Sequence, residues 1–221
     1  MHSENNILSL NSRSIKKMSP RIKENFEKIR REKRALIIEV AVKLFSEKGF
    51  HATTVDMISR KAGISKGLLY NYYKSKEDLL AQIMYELSLE LMDLMNPDHD
   101  NEITSSEMKD FFTFLIDLLK RKTDHIKLYF ELSLKNDIYK FVSQQVDIEQ
   151  ILKEFKLIKK YFEERFENSE TELTIFISVL KGFALEFVTS PDSFEDQRIE
   201  NFKNRLVDLF IRDKKEEVRR I

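Results

Sequence analysis

The chain has 221 residues, of which 42% are hydrophobic and 34% charged, with four glycines, three prolines and no cysteine. So little glycine and proline excludes a turn-rich β architecture, and the missing cysteine excludes disulfides, thiolate metal sites and cysteine catalysis while fitting a reducing cytosol. The net charge of zero hides a split, with 17 Lys+Arg against 9 Asp+Glu in residues 1–80 and 21 against 29 in residues 81–221. A basic head on an acidic body suits a protein whose head meets a polyanion, although two solvated faces of unlike charge give the same totals.

Residues 1–19 are polar and aperiodic and read as a disordered leader, a poor signal peptide in which Met18 is as plausible a start as Met1. From Ile22 to Arg34 the chain is strongly charged. Lys28, Arg30, Arg31, Lys33 and Arg34 form a basic run that is either a DNA-contacting extension of the first helix or a solvated face. A helix is predicted over 30–48, because Leu36, Ile37, Val40, Ala41, Leu44 and Phe45 recur at the helical period and Gly49 supplies a stop. Thr53 and Asp56 have the spacing of a capping box, predicting a second helix over 54–62. Gly63 permits a tight turn, Ser65 caps a third helix, and Ser75 with Asp78 opens a fourth that reaches Met95. Asn96-Pro97-Asp98 ends it, which puts a domain boundary inside or just after that helix and divides the chain into a head at 20–80 and a body at 81–221. Further helices are predicted over 104–121, 124–141, 146–167, 170–189 and 195–217. No apolar run approaches the roughly 18 residues that a membrane span requires. The fold class is all-α.

Residues 53–80, TTVDMISRKAGISKGLLYNYYKSKEDLL, therefore read as a helix-turn-helix followed by a newly capped helix. Such a motif presents its second helix to the major groove, where base edges expose sequence-specific donors and acceptors. Val55, Ile58, Ala62, Ile64, Leu69 and Tyr73 are spaced to form the supporting core with Leu44 and Phe45. Lys66 suits a guanine edge or a phosphate, and Asn71 an adenine or the backbone. Tyr70 and Tyr72 offer hydroxyls for phosphate and rings for thymine methyls, while Gly67 allows close approach to DNA. Thr54 and Lys76 stand at helix N-termini, positioned for phosphates.

The stretch KLFSEKGFHATTVDMISRKAGISKGLLYNYYKSKEDLL resembles the DNA-binding head of the tetracycline-repressor (TetR) family. The resemblance covers about a quarter of the chain, residues 30–80. It implies a homeodomain-like three-helix head, a C-terminal helical ligand-binding and dimerisation domain, and a homodimer on a near-palindromic operator of double-stranded DNA, usually as a repressor. By the same resemblance Thr54, Lys66, Gly67, Tyr70, Tyr72 and Lys76 take DNA-contact positions, and Leu69 and Tyr73 core positions. Leu68 departs from the small polar residue common there, so a methyl contact would replace a base hydrogen bond. The two heads would sit about 34–36 Å apart, one helical turn of DNA.

Of the 17 phenylalanines, 14 lie beyond residue 80. Phe111, Phe112, Phe114, Phe130, Phe155, Phe162 and Phe166, with His125 and Tyr129, could line a pocket for a small, largely apolar effector; a bundle core would demand the same residues. Leu173, Phe176, Leu180, Phe183, Ala184 and Phe187 form a stripe able to pair with Phe202, Leu206, Leu209 and Phe210. The family resemblance makes these two helices the dimer interface, although internal packing alone would produce the same pattern. No cofactor, metal or membrane partner is expected, because the histidines are scattered without ligand spacing. Gly63-Ile64-Ser65-Lys66-Gly67 matches the G-x-S-x-G of α/β-hydrolases, but that chemistry needs a preceding strand where a capped helix is predicted, so no enzyme is expected. The predicted function is a DNA-binding regulator whose repression a ligand relieves. A transcriptional activator, or a helical protein-interaction module with a head that has lost DNA binding, are the alternatives.

Overall fold

A computed structural model of the chain describes residues 20–134 and 138–211. The leader expected at 1–19 and the end of the helix expected to reach 217 lie outside the described residues. Among those described, the regular elements are ten α-helices and a short 3-10 turn: α1 Pro20–Lys48, α2 Val55–Lys61, α3 Lys66–Tyr72, α4 Lys76–Asp93, α5 Ser105–Arg121, α6 Thr123–Ser133, α7 Ile138–Ser143, α8 Glu149–Arg165, α9 Ser169–Thr189, the 3-10 turn Pro191–Ser193, and α10 Asp196–Phe210. The all-α expectation is met.

Two elements differ from those predicted. α1 starts ten residues earlier, because the charged run is rich in Lys, Arg and Glu, all good helix formers, and Pro20 occupies a first-turn position where its missing N–H costs nothing. The single helix predicted over 124–141 is instead α6 and α7. α6 ends at Ser133, whose hydroxyl donates back to the Tyr129 carbonyl at 2.7 Å, a local bond of the kind that makes serine a poor helix former.

The chain divides between Ile83 and Met84, inside α4, into two compact units. In the first, α2 packs against both α1 and α3. Ile37, Ala41, Leu44, Phe45, Ile58, Leu69 and Tyr73 are buried there, as expected, whereas Val55 and Ile64 are only half-buried. Leu68 is buried too. Gly49 and Gly63 hold φ at +82° and +64°, the left-handed region that glycine enters without a Cβ penalty, and each ends a helix where the chain must reverse.

The loop between α1 and α2 is tied down from two sides. Thr53 is not the helix cap that the sequence suggests. It is fully buried, and its hydroxyl is shared between the carbonyls of Leu44 (3.1 Å), in the last turn but one of α1, and Gly49 (2.9 Å), just past its end. The cap is Thr54, whose Oγ1 accepts from the Met57 N–H at 3.2 Å. From the other side the Lys76 ammonium donates to the carbonyls of Phe50 (2.7 Å), Thr53 (2.8 Å) and, at the limit, His51 (3.5 Å), and it lies 4.3 Å from the centroid of the Phe50 ring. Three donors thus meet three loop acceptors.

In the second unit α9 packs against α8, α6 and α5, and α10 packs against α5. Phe176, on α9, is the hub of the interior: its ring lies 6.3 Å from Phe111, 6.2 Å from Phe112, 5.2 Å from Phe162 and 5.1 Å from Phe210, centroid to centroid. Offset and edge contacts at these distances add to the burial of large apolar areas. The Tyr161 hydroxyl donates to the Phe210 carbonyl at 2.9 Å, joining α8 to the end of α10 and satisfying a buried O–H.

Replacing Lys76 with methionine removes the ammonium from three carbonyls while keeping the stem. Hydrogen bonds to a charged group contribute about 1.5–3 kcal/mol each when buried and less when partly exposed, so the loss is expected near 2 kcal/mol overall. Urea unfolding followed by circular dichroism measures it, and a change below about 0.5 kcal/mol, the size of an ordinary surface substitution, would mean that the clamp does not hold the loop.

Candidate nucleic-acid interface

α3 is about two turns long, and its two faces differ completely. Ser65 caps it, its hydroxyl oxygen accepting from the Leu68 N–H at 3.1 Å. Leu68 and Leu69 face inward at 6% and 0% exposure. Lys66, Gly67, Tyr70 and Asn71 face solvent. Gly67 has ordinary helical geometry, and a Cβ built on it meets nothing within 4 Å, so nothing inside the protein requires glycine there. Thr54, at the start of α2, is exposed. Thr54, Lys66, Gly67, Tyr70 and Asn71, five of the expected contacts, are accordingly open to solvent.

The other three expected contacts sit differently. Leu68 is part of the buried face, because the helical period that exposes Lys66, Tyr70 and Asn71 turns position 68 inward beside Leu69. Lys76 spends its ammonium on the loop carbonyls described above. Tyr72 is half-buried, and its hydroxyl oxygen is enclosed with no hydrogen-bond partner among the described residues. Burial pushes the Tyr72 phenol above its usual pKa, with the nearby Arg30 cation opposing the shift. The Arg30 guanidinium lies 5.9 Å from the centroid of the Tyr72 ring, and Arg34 lies at the same distance from Tyr73. The sequence holds a faint signal for this pairing, two arginines four apart in the basic run facing two adjacent tyrosines, but nothing in one dimension says that they meet.

Ser65 of the G-x-S-x-G match is this helix cap, following the left-handed turn at Gly63. On the neighbouring surface an open groove of about 440 Å³ is lined by Leu44, Lys48, Met57, Arg60 and Lys61. Its cations are partly neutralised, Arg60 by Asp56 and Lys61 by Glu47 at 3.8 Å.

The residues proposed for an effector pocket fall into three settings. Phe111 and Phe162 are fully enclosed in the aromatic interior. Phe114 and Phe155 stand out at 51% and 40% exposure, on the solvent sides of α5 and α8. His125, Tyr129 and Phe130 are half-buried on α6. His125 is held neutral, its pKa lowered to about 4 chiefly by burial and further by Lys122. A cavity of about 150 Å³ does occur in this unit, but Phe183, Glu186, Phe194, Arg198 and Phe202 line it. Phe183 and Phe202 stack there with centroids 3.9 Å apart, and Arg198 pairs with Glu186 at 2.7 Å.

The residues expected at the dimer interface pack within the single chain. Phe176, Phe183, Phe187 and Leu206 are buried within the single chain, and Leu180, Phe202 and Leu209 pack against the same cluster. The stripe is real, but internal packing uses it. The outer face of α9 carries Thr174, Ile175, Ser178, Gly182 and Leu185 instead, with Ile175 and Leu185 each 43% exposed.

Known proteins share both this head and this fold. The profile of the family described as "Bacterial regulatory proteins, tetR family" matches residues 37–83. The biofilm operon icaADBC HTH-type negative transcriptional regulator IcaR of Staphylococcus epidermidis is 36% identical over 98 residues, 44% of this chain and 51% of that protein, so the chain spans about half the length of that relative. Its counterpart in Staphylococcus aureus strain Newman is 30% identical over 136 residues, 58% of this chain and 68% of that protein. The crystal structure of a TerR/AcrR-family transcriptional regulator from Aquifex aeolicus VF5 superposes with a TM-score of 0.58 at 26% identity, covering 80% of this chain and 96% of that one. A matched head, a relative aligned well beyond it into the second unit, and a shared helical fold together mean that the chain belongs to the tetR family of bacterial regulatory proteins.

Proposed function

We propose that the protein is a sequence-specific DNA-binding transcriptional regulator, a homodimeric repressor whose hold on its operator is relieved by a small, largely apolar effector. The observation that carries this reading is the bare face of α3. Lys66, Tyr70 and Asn71 are exposed on a helix whose opposite face is fixed in a core, the arrangement that direct readout of a major groove requires. The +8 charge of residues 1–80 supplies attraction to phosphate without regard to sequence. Repression follows the Staphylococcus relatives, which are named as negative regulators. The effector belongs in the second unit. There the half-buried His125, Tyr129 and Phe130 offer an apolar, uncharged lining, and its binding would act through different affinities for two conformations.

The dimer contact fits the outer face of α9. Ile175, Ser178, Gly182 and Leu185 recur every three or four residues and, with Thr174 beside them, give a narrow strip of uncharged side chains that lets two helices approach closely. No atom lies within 4 Å of the place where a Gly182 Cβ would stand, so that position is open to a neighbouring helix.

Binding to the DNA upstream of the protein's own gene, compared with a random duplex in fluorescence anisotropy, tests the main reading. Preference for the upstream duplex and a steep loss of affinity with salt are expected, and equal binding to both duplexes would defeat it. Lys66→Ala is expected to lower specific affinity by about 1–3 kcal/mol with unchanged helicity. Gly67→Ala separates fold from function: stability should hold or rise by about 0.4–1 kcal/mol, while operator affinity falls because the new methyl group meets DNA. Equal operator affinity in that variant would place the α3 N-terminus away from the groove. Leu185→Glu should convert a dimer to a monomer in sedimentation equilibrium without loss of helicity; persistence of the dimer would move the interface elsewhere.

A further inference from the structure

Arg30 and Tyr72 are 42 positions apart in sequence and adjacent in space, the guanidinium carbon 5.9 Å from the ring centroid. Tyr72 is the last residue of α3, so this contact sets the basic run of α1 beside the C-terminal end of the helix whose other exposed residues form the proposed DNA surface. Three features of the pair give it a direction. Arg30 is exposed, and no carboxylate partner for it occurs among the described residues. An arginine resting on an aromatic face uses its π surface and keeps its N–H donors in plane, in a rigid fork that matches two oxygens of a phosphate. The Tyr72 hydroxyl, the group that would ordinarily be expected to touch a phosphate, is enclosed without a partner among the described residues, so the ring and not the hydroxyl is what Tyr72 offers.

The rest of the run does not share this position. Lys28 and Arg31 are exposed but stand among Glu24, Glu27 and Glu32 on the same helix, which keeps α1 from being a uniform cationic strip. Arg34 is less exposed and lies 5.9 Å from the ring of the buried Tyr73. Arg30 is the member that α3 itself orients toward solvent.

We infer that Arg30 binds a DNA backbone phosphate beside α3, and that Tyr72 is a positioning residue whose ring holds the guanidinium in place. The inference rests on the DNA-binding reading and adds to it a contact from α1 that carries no sequence information.

Fluorescence anisotropy of the full-length protein on its upstream duplex and on a random duplex, each over a series of salt concentrations, tests it. Arg30→Gln is expected to weaken both duplexes by a similar factor and to reduce the slope of log affinity against log salt by about one, the signature of one lost phosphate contact. Tyr72→Phe keeps the ring and should bind both duplexes as the unmodified protein does. Tyr72→Leu removes the platform and should reproduce most of the Arg30→Gln loss in affinity and slope, with little further loss in the double variant. Circular dichroism on each variant confirms the fold. Unchanged affinity and slope in Arg30→Gln would overturn the assignment, as would a loss in Tyr72→Phe equal to that in Tyr72→Leu, which would give the work to the hydroxyl. In either of those outcomes the unmodified protein still prefers its upstream duplex. Failure of the unmodified protein to bind either duplex would overturn both the assignment and the DNA-binding reading beneath it.

Discussion

A seven-residue helix is not stable alone in water, because nucleating it fixes several dihedrals for few hydrogen bonds. What α3 presents to solvent therefore depends on what it buries. Leu68 and Leu69 anchor it, Ser65 satisfies an N–H at its start, and Gly63 takes the left-handed turn that aims it. The same logic extends to its supports. α2 is also seven residues long, and the loop before it is held by Thr53 from below and by Lys76 from the start of α4. The exposed side chains of Lys66, Tyr70 and Asn71 are the free side of a unit whose other sides are all engaged, which is the pre-organisation that a reading surface needs.

Roles within this small unit are consequently divided more finely than residue type suggests. A lysine at a helix N-terminus, Lys76, serves as an internal clamp, and a tyrosine on α3 gives its ring to an arginine on another helix. Leu68 supports instead of touching, which removes the puzzle of an apolar residue at a position expected to meet DNA. The second unit shows a comparable division along α9. Its inner face supplies Phe176, Phe183 and Phe187 to the core of the second unit, while its outer face carries Ile175, Gly182 and Leu185.

Much of this was legible in one dimension. Apolar spacing and cap residues located α5 within a residue, and the head motif with its glycine turn and Ser65 cap stood out clearly. The end of α6 at Ser133 is not legible, because neither glycine nor proline stands there to mark the stop and the apolar period reads on through it. The early start of α1 escaped for the opposite reason: a charged segment has no apolar stripe, so periodicity is blind to it although its propensity is high.

What the sequence by itself determined was the helical class, the helix-turn-helix with its family resemblance, the basic head, and the set of side chains in α3 from which its outward face is drawn. Those are local properties, written in spacing, caps and charge. Tertiary structure alone decided which of those side chains are spent. It enclosed Leu68, closed Lys76 onto the carbonyls of the α1–α2 loop, buried the Tyr72 hydroxyl, brought Arg30 over the Tyr72 ring, and packed the aromatic stripe of α9 inside its own chain. Burial and pairing are set by neighbours distant in sequence. A periodic pattern states that a face will be covered, and only the packed chain states by what.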